Sequence, residues 1–224
     1  MIENNKSINN LDYIKFRLKE VFDLNNKDLF FHVLILQRKK KEVEGINKNP
    51  NVIKSYAVKD LEYLENKLNN EIIPICNSQK ARAMINLNPK SFKRVSHSML
   101  RRLSEYIESD FYEGTIIKLF DSCTASSSIN KELGIEKYWL VDVDREEHTH
   151  RLIKIKDIIN NECSPIYPKG EKIKAIIRSK NGYHLFSTSF NLKEFERMKN
   201  DKNYKDYIKN IEIKKDCLTN LYIP

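Results

Sequence analysis

Short apolar runs alternate along the chain with charged, Asn-rich stretches, and the spacing of the apolar positions assigns most segments. Leu11 to Phe22 carries Ile14, Leu18, Val21 and Phe22 on one side, the signature of an amphipathic helix. Leu29 to Leu36 is a continuous apolar run and reads as a buried strand leading into Arg38, Lys39, Lys40 and Lys41. Gly45 to Asn51, with Asn49-Pro50, predicts a turn, and Val52 to Val58 the return strand. Lys59 to Leu68 is helical, and Pro74 is expected to end or kink the next stretch of chain. Ala81 to Leu87 predicts a strand with Ala83, Ile85 and Leu87 on one face. Asn88-Pro89 then opens a helix striped by Phe92, Val95, Met99, Leu103 and Ile107.

The second half is richer in strands. A short helix is expected over residues 110 to 120 and a polar connection over 122 to 130. Tyr138-Trp139-Leu140-Val141 is an apolar strand, and a loop is expected from Arg145 to Gly170. Ile173 to Arg178 and Tyr183 to Thr188 flank Asn181-Gly182, a strong hairpin signal. Asn191 caps a helix with Leu192, Phe195 and Met198. Ile211 to Asp216 and Leu218 to Ile223 read as a closing hairpin. Strands interrupted by groups of helices predict an α/β or α+β class with a mixed sheet and flanking helices. The expected organisation is a helical element over residues 1–28 and one core over 29–224.

Composition narrows the setting. With 40% hydrophobic and 32% charged residues the chain can build a core and stay in water. No apolar run is long enough to span a bilayer, and the first residues lack a signal-type stretch, so a cytoplasmic protein with no membrane partner is expected. Four scattered cysteines without a Cys-x-x-Cys pair argue against disulfides and zinc knuckles. His148 and His150 fall in a charged stretch with no nearby cysteine, a poor metal pair. The net charge of +9 favours a polyanionic partner. Arg38, Lys39, Lys40, Lys93, Arg94 and Arg101 are candidate phosphate-backbone contacts, although solvated lysine-rich surface has the same composition.

Asp142-Val143-Asp144, at the end of the apolar strand, carries the sharpest chemical hint. Residues two apart on a strand share a face, so the two carboxylates project together and repel unless a cation lies between them. Mg²⁺ sites use one or two carboxylates with substrate phosphates. A strand running out into an acidic turn would leave the same letters. Arg178, Ser179, Lys180, Gly182 and His184 place cations, a hydroxyl, a glycine and an imidazole around one turn, suited either to phosphate oxygens or to a plain hairpin. Asp216 ends a late strand, where Glu212, Lys214 and Asp216 share one face.

The order Asp-x-Asp on a strand, a turn ending in histidine, then a late aspartate resembles the archaeo-eukaryotic primase superfamily, the primase-polymerases, in a small phage-type form. Trp139 to Asp144 matches the first motif of that family, Ser179 to His184 the second, and the segment ending in Asp216 the third. Gly182 departs from the Ser-x-His form of the second motif. The resemblance implies a primase-polymerase-like core and Mg²⁺ or Mn²⁺ held by Asp142, Asp144 and Asp216. It further implies a nucleotide contact from His184, with Arg178, Ser179 and Lys180 on the triphosphate. Arg82 joins them if its strand lies beside the Asp-x-Asp strand. The implied activity is nucleotidyl transfer on nucleic acid from nucleoside triphosphates, with a helicase or other replication protein as a partner. Two alternatives stay open: a nucleic-acid-binding or host-inhibitory protein that keeps the fold without polymerising, its partner then a host target protein, and a metal-dependent phosphodiesterase or nuclease.

Overall fold

In a computed structural model, which describes residues 7–37, 51–109, 116, 118–127, 134–144, 149–165 and 171–224, two antiparallel sheets carry the chain. The first contains β1 (Ile8–Asn9), β2 (Leu29–Gln37), β3 (Asn51–Val58), β4 (Arg82–Asn86), β5 (Lys90–Ser91) and, from the end of the chain, β10 (Leu218–Ile223). Its order is β1-β10-β4-β2-β3, with β5 paired to β2. The second contains β6 (Trp139–Asp144), β7 (Ile173–Arg178), β8 (Gly182–Ser187) and β9 (Glu212–Lys214) in the order β7-β8-β6-β9. All these pairings are antiparallel, so the class is α+β and neither sheet is mixed. β6 and β7 do run the same way, but β8 lies between them and they never pair.

The helices pack by sheet face. α1 (Leu11–Phe22) buries Leu11, Ile14, Leu18 and Val21, at the spacing expected of an amphipathic helix. These meet Leu64 of α2 (Leu61–Lys67), Cys76 of α3 (Ile73–Gln79) and Phe31, Val33 and Ile35 of β2 in the largest core. Pro74 does not end the helix. It stands just after a wider π-type turn over Leu68–Ile72, and the helix continues through it into α3. The other face of β2 presents Phe30 to Val95 of α4 (Phe92–Glu108) and to Leu119 and Cys123 of α5 (Leu119–Ser126). α4 is capped by Ser91 and not Asn88: the Ser91 hydroxyl accepts from Arg94 N–H, while the Asn88 amide is committed to Tyr138. α5 replaces part of the connection expected over 122 to 130; most of the helix expected over 110 to 120 lies outside the described residues, as does the turn before Asn51.

Around the second sheet the chain runs β6, α6 (Thr149–Asp157), β7, β8, then α7 (Leu192–Met198) with α8 (Lys205–Ile208), then β9. That is the split β-α-β arrangement, β-α-β-β-α-β. α6, prolonged by a π-type turn over Ile158–Glu162, stands where a loop was expected; its apolar Leu152, Ile155, Ile158 and Ile159 have helical spacing. These pack with Val141, Val143, Leu185 and Phe195 into a second core. Leu140, Ile177 and Phe186, on the opposite face of the same sheet, belong to the first core. The closing hairpin does not form. β9 joins β6, whereas β10 crosses to the other sheet between β1 and β4.

Candidate functional site

β6 alternates as its letters require. Val141 and Val143 turn to the second core, while Leu140 turns to the first, so Asp142 and Asp144 share the face that looks towards the first sheet. Asp142 is opposite His184 on one neighbour and Glu212 on the other, and directly opposed residues project to the same side. His184, Asp142 and Glu212 therefore form one rung across three strands. Asp144 is opposite Gly182 and exposed.

The rung is electrostatically dense. Lys214 Nζ lies 2.6 Å from Asp142 Oδ2 and 3.3 Å from Glu212 Oε2, so one ammonium bridges two carboxylates. His184 Nε2 is 3.4 Å from Asp142 Oδ1, long for a hydrogen bond but close enough for attraction. His184 and Lys214 together hold the Asp142 carboxyl down at about 2, against the upward push of burial. Burial works to lower the Lys214 pKa, yet Asp142 and Glu212 leave it raised. His184 Nδ1 pairs with Thr219 Oγ1 at 2.7 Å, which ties β8 of one sheet to β10 of the other. The ring is buried with a protein partner at each nitrogen. Its expected contact with a nucleotide phosphate would have to replace one of them.

Asp216 stands elsewhere. β9 ends at Lys214, opposite Leu140, and Asp216 follows in the bend beyond it, outside the paired part of the strand. Its Oδ1 accepts from Asn86 Nδ2 at 2.7 Å. There it lines a cavity of about 130 Å³ with Asn88, Lys90, Ser126, Ser127 and Lys137. Burial pushes the Lys90 ammonium below its usual range, with Asp216 opposing. Lys90 Nζ donates to Ser127 O at 2.7 Å. Asn88 grips both the N–H and the C=O of Tyr138 at 2.8 Å, as a neighbouring strand would, and so fixes where β6 begins.

The other expected residues are dispersed. Ser179 N–H donates to Gly182 O at 2.9 Å, so the turn between β7 and β8 closes as a tight hairpin. Arg178 and Lys180 are exposed at its ends, and Arg178 O accepts from Asn10 Nδ2. Arg82 is half-buried on β4, whose neighbours are β2 and β10, so its strand does not lie beside the Asp-x-Asp strand. Lys93, Arg94 and Arg101 lie on α4, which covers the face of the first sheet opposite the one packed on the second. Arg38, Lys39, Lys40, Lys41 and His148 lie outside the described residues. Glu212, Lys214 and Thr219 are the site residues that motif reading missed. The alternation of Glu212 and Lys214 with Ile211 and Ile213 was the available signal.

Among the described residues no three His, Cys, Asp or Glu side chains gather around one point as a metal cage. The donor chemistry still suits a cation. Asp142 and Glu212 hold a positive group between them, and that group is the chain's own ammonium. Two carboxylates are also what Mg²⁺ commonly takes from a protein when phosphates supply other ligands. No protein-family model matches the sequence, and neither a curated protein nor a solved structure matches the chain.

Proposed function

We propose that this chain is a metal-dependent nucleotidyltransferase of primase-polymerase type, working at the Asp142 rung with nucleoside triphosphates on a nucleic acid. The observation that carries this reading is the register of β6: the first aspartate of Asp-x-Asp is flanked in one rung by His184 and Glu212. Asp142 and Glu212 would hold Mg²⁺ or Mn²⁺, with Asp144 beside them at the exposed end of the strand. Such an ion neutralises charge on the reacting phosphate and lowers the pKa of the attacking hydroxyl. Asp142, kept ionised far below neutral pH by its neighbours, is ready to receive it without losing a proton. Lys180, exposed in the turn next to Gly182, would meet triphosphate oxygens, whereas Arg178 is opposite Tyr183 on the second-core face of the sheet, away from the rung.

The test is primer synthesis and extension with Mg²⁺ or Mn²⁺, comparing the wild type with Asp142→Asn and Glu212→Gln. Product from the wild type that both substitutions abolish is the expected result. Undiminished product from Asp142→Asn would exclude this site.

A second reading has its own support. Lys214 already neutralises the rung, and Asp216 stands apart from it. Both fit a protein that keeps the architecture to bind nucleic acid or a protein target without polymerising. Under that reading wild type makes no product, and any binding to single-stranded nucleic acid weakens steeply with salt.

A further inference from the structure

We propose that Lys214 is the built-in counter-ion of the Asp142–Glu212 pair, and that a divalent cation binds there only by displacing its ammonium. Asp142 and Glu212 are directly opposed on adjacent strands, where like charges repel. Lys214 is two residues beyond Glu212 on β9 and on the same face. Its ammonium contacts both carboxylates, at 2.6 Å and 3.3 Å. The pair is thus neutralised by a tethered cation seated between its oxygens.

Of the two side chains set against the Asp142 carboxylate, only Lys214 can swing away. His184 is 8% exposed and held from behind by Thr219. The Lys214 side chain is 41% exposed on an edge strand three residues long, so its flexible stem can swing out without disturbing either core. A divalent ion brings twice the charge of the ammonium and can take an oxygen from each carboxylate. Once released, the ammonium stays on the same face, within reach of any phosphate the ion carries. Lys214 would then exchange a carboxylate for a phosphate, so a metal–nucleotide complex displaces it more readily than the bare ion. This inference rests on the Asp142–Glu212 seat of the proposed function and adds how the seat is guarded.

The experiment is a Mn²⁺ titration followed by electron paramagnetic resonance, at low ionic strength and without primer or nucleotide. Lys214→Met is expected to bind Mn²⁺ on the order of tenfold more tightly than the wild type, because the ion no longer competes with a tethered cation. Lys214→Arg, which keeps the charge, should stay near the wild type. Asp142→Asn added to Lys214→Met should remove the gain. A cooperatively melting Lys214→Met that binds no more tightly than the wild type overturns the proposal, as does a gain that survives Asp142→Asn. If Lys214→Met does not melt cooperatively, Lys214→Gln is read by the same outcomes. Binding is measured apart from synthesis, so an inactive wild type would refute the transferase reading and leave the displacement standing.

Discussion

Asp142→Asn is the perturbation whose outcome the structure reverses. Two aspartates two apart on a strand predict mutual repulsion, and neutralising one should then stabilise the fold. The structure instead sets the Lys214 ammonium 2.6 Å and the His184 ring 3.4 Å from Asp142, with the carboxylate side chain only 17% exposed. Its folded pKa of about 2 lies below the ordinary 3.8. A depressed carboxyl pKa stabilises the fold above the unfolded value and ceases to do so as pH falls through the folded one. The difference amounts to about 2 kcal/mol at pH 7, with about half gone by pH 3. For a chain of this size that corresponds to roughly 4–8 °C in Tm. Urea and thermal melts of wild type and Asp142→Asn at pH 7 and again near pH 3 test it. The substitution should destabilise at pH 7, and the gap should narrow in acid. Equal or higher stability of Asp142→Asn at pH 7 would mean that Lys214 and His184 do not compensate the carboxylate. A gap that stays constant with pH would show that the loss has nothing to do with its charge.

Four further substitutions probe the rung and the frame around it. Arg17 is fully buried, donates to Leu87 O, Glu136 O and Glu20, and lies 4.1 Å over the Tyr138 ring. Arg17→Met should therefore cost about 3 kcal/mol by leaving buried carbonyls unpaired, and a thermal melt within a degree of wild type would contradict that role. Asn88→Ala should release both backbone bonds of Tyr138, costing about 2 kcal/mol and accelerating hydrogen exchange at the Tyr138 amide; unchanged exchange there would mean that β6 is anchored elsewhere. In the Mn²⁺ titration, Glu212→Gln should weaken binding on the order of tenfold and Asp216→Asn should leave it within about twofold. The opposite ranking would restore Asp216 as the third ligand.

Local pattern was enough where an apolar stripe or an unbroken apolar run is buried. α1, β2, β7 and β8 follow their apolar spacing, and Asn181-Gly182 closes its hairpin as its chemistry requires. Elsewhere local pattern was overridden or hidden. Asn88-Pro89 looks like the start of a helix, but the Asn88 amide reaches across fifty positions to Tyr138, and the cap passes to Ser91. α6 was obscured by the charged residues between its apolar positions, which are solvated on one side while Ile155, Ile158 and Ile159 are fully buried on the other.

The site was half legible because long-range anchoring again decides what spacing leaves open. Alternation alone places Asp142 with Asp144, and Glu212 with Lys214 and Asp216. It does not say which of the last three stands opposite Asp142, because that depends on the register of an edge strand three residues long. Register there is decided by where the chain must leave the sheet. Cys217 is fully buried, its carbonyl accepts from Leu87 N–H at 2.9 Å, and Thr219 must reach His184 in the opposite sheet. These anchors pull the chain out of β9 immediately after Lys214. Glu212 is thereby left facing Asp142, Lys214 is left to bridge them, and Asp216 is carried to Asn86. A motif that reads as an aspartate ending a strand thus points to a segment whose Glu212, and not its Asp216, stands opposite Asp142, since long-range anchoring selects the residue and sequence spacing only offers the choices.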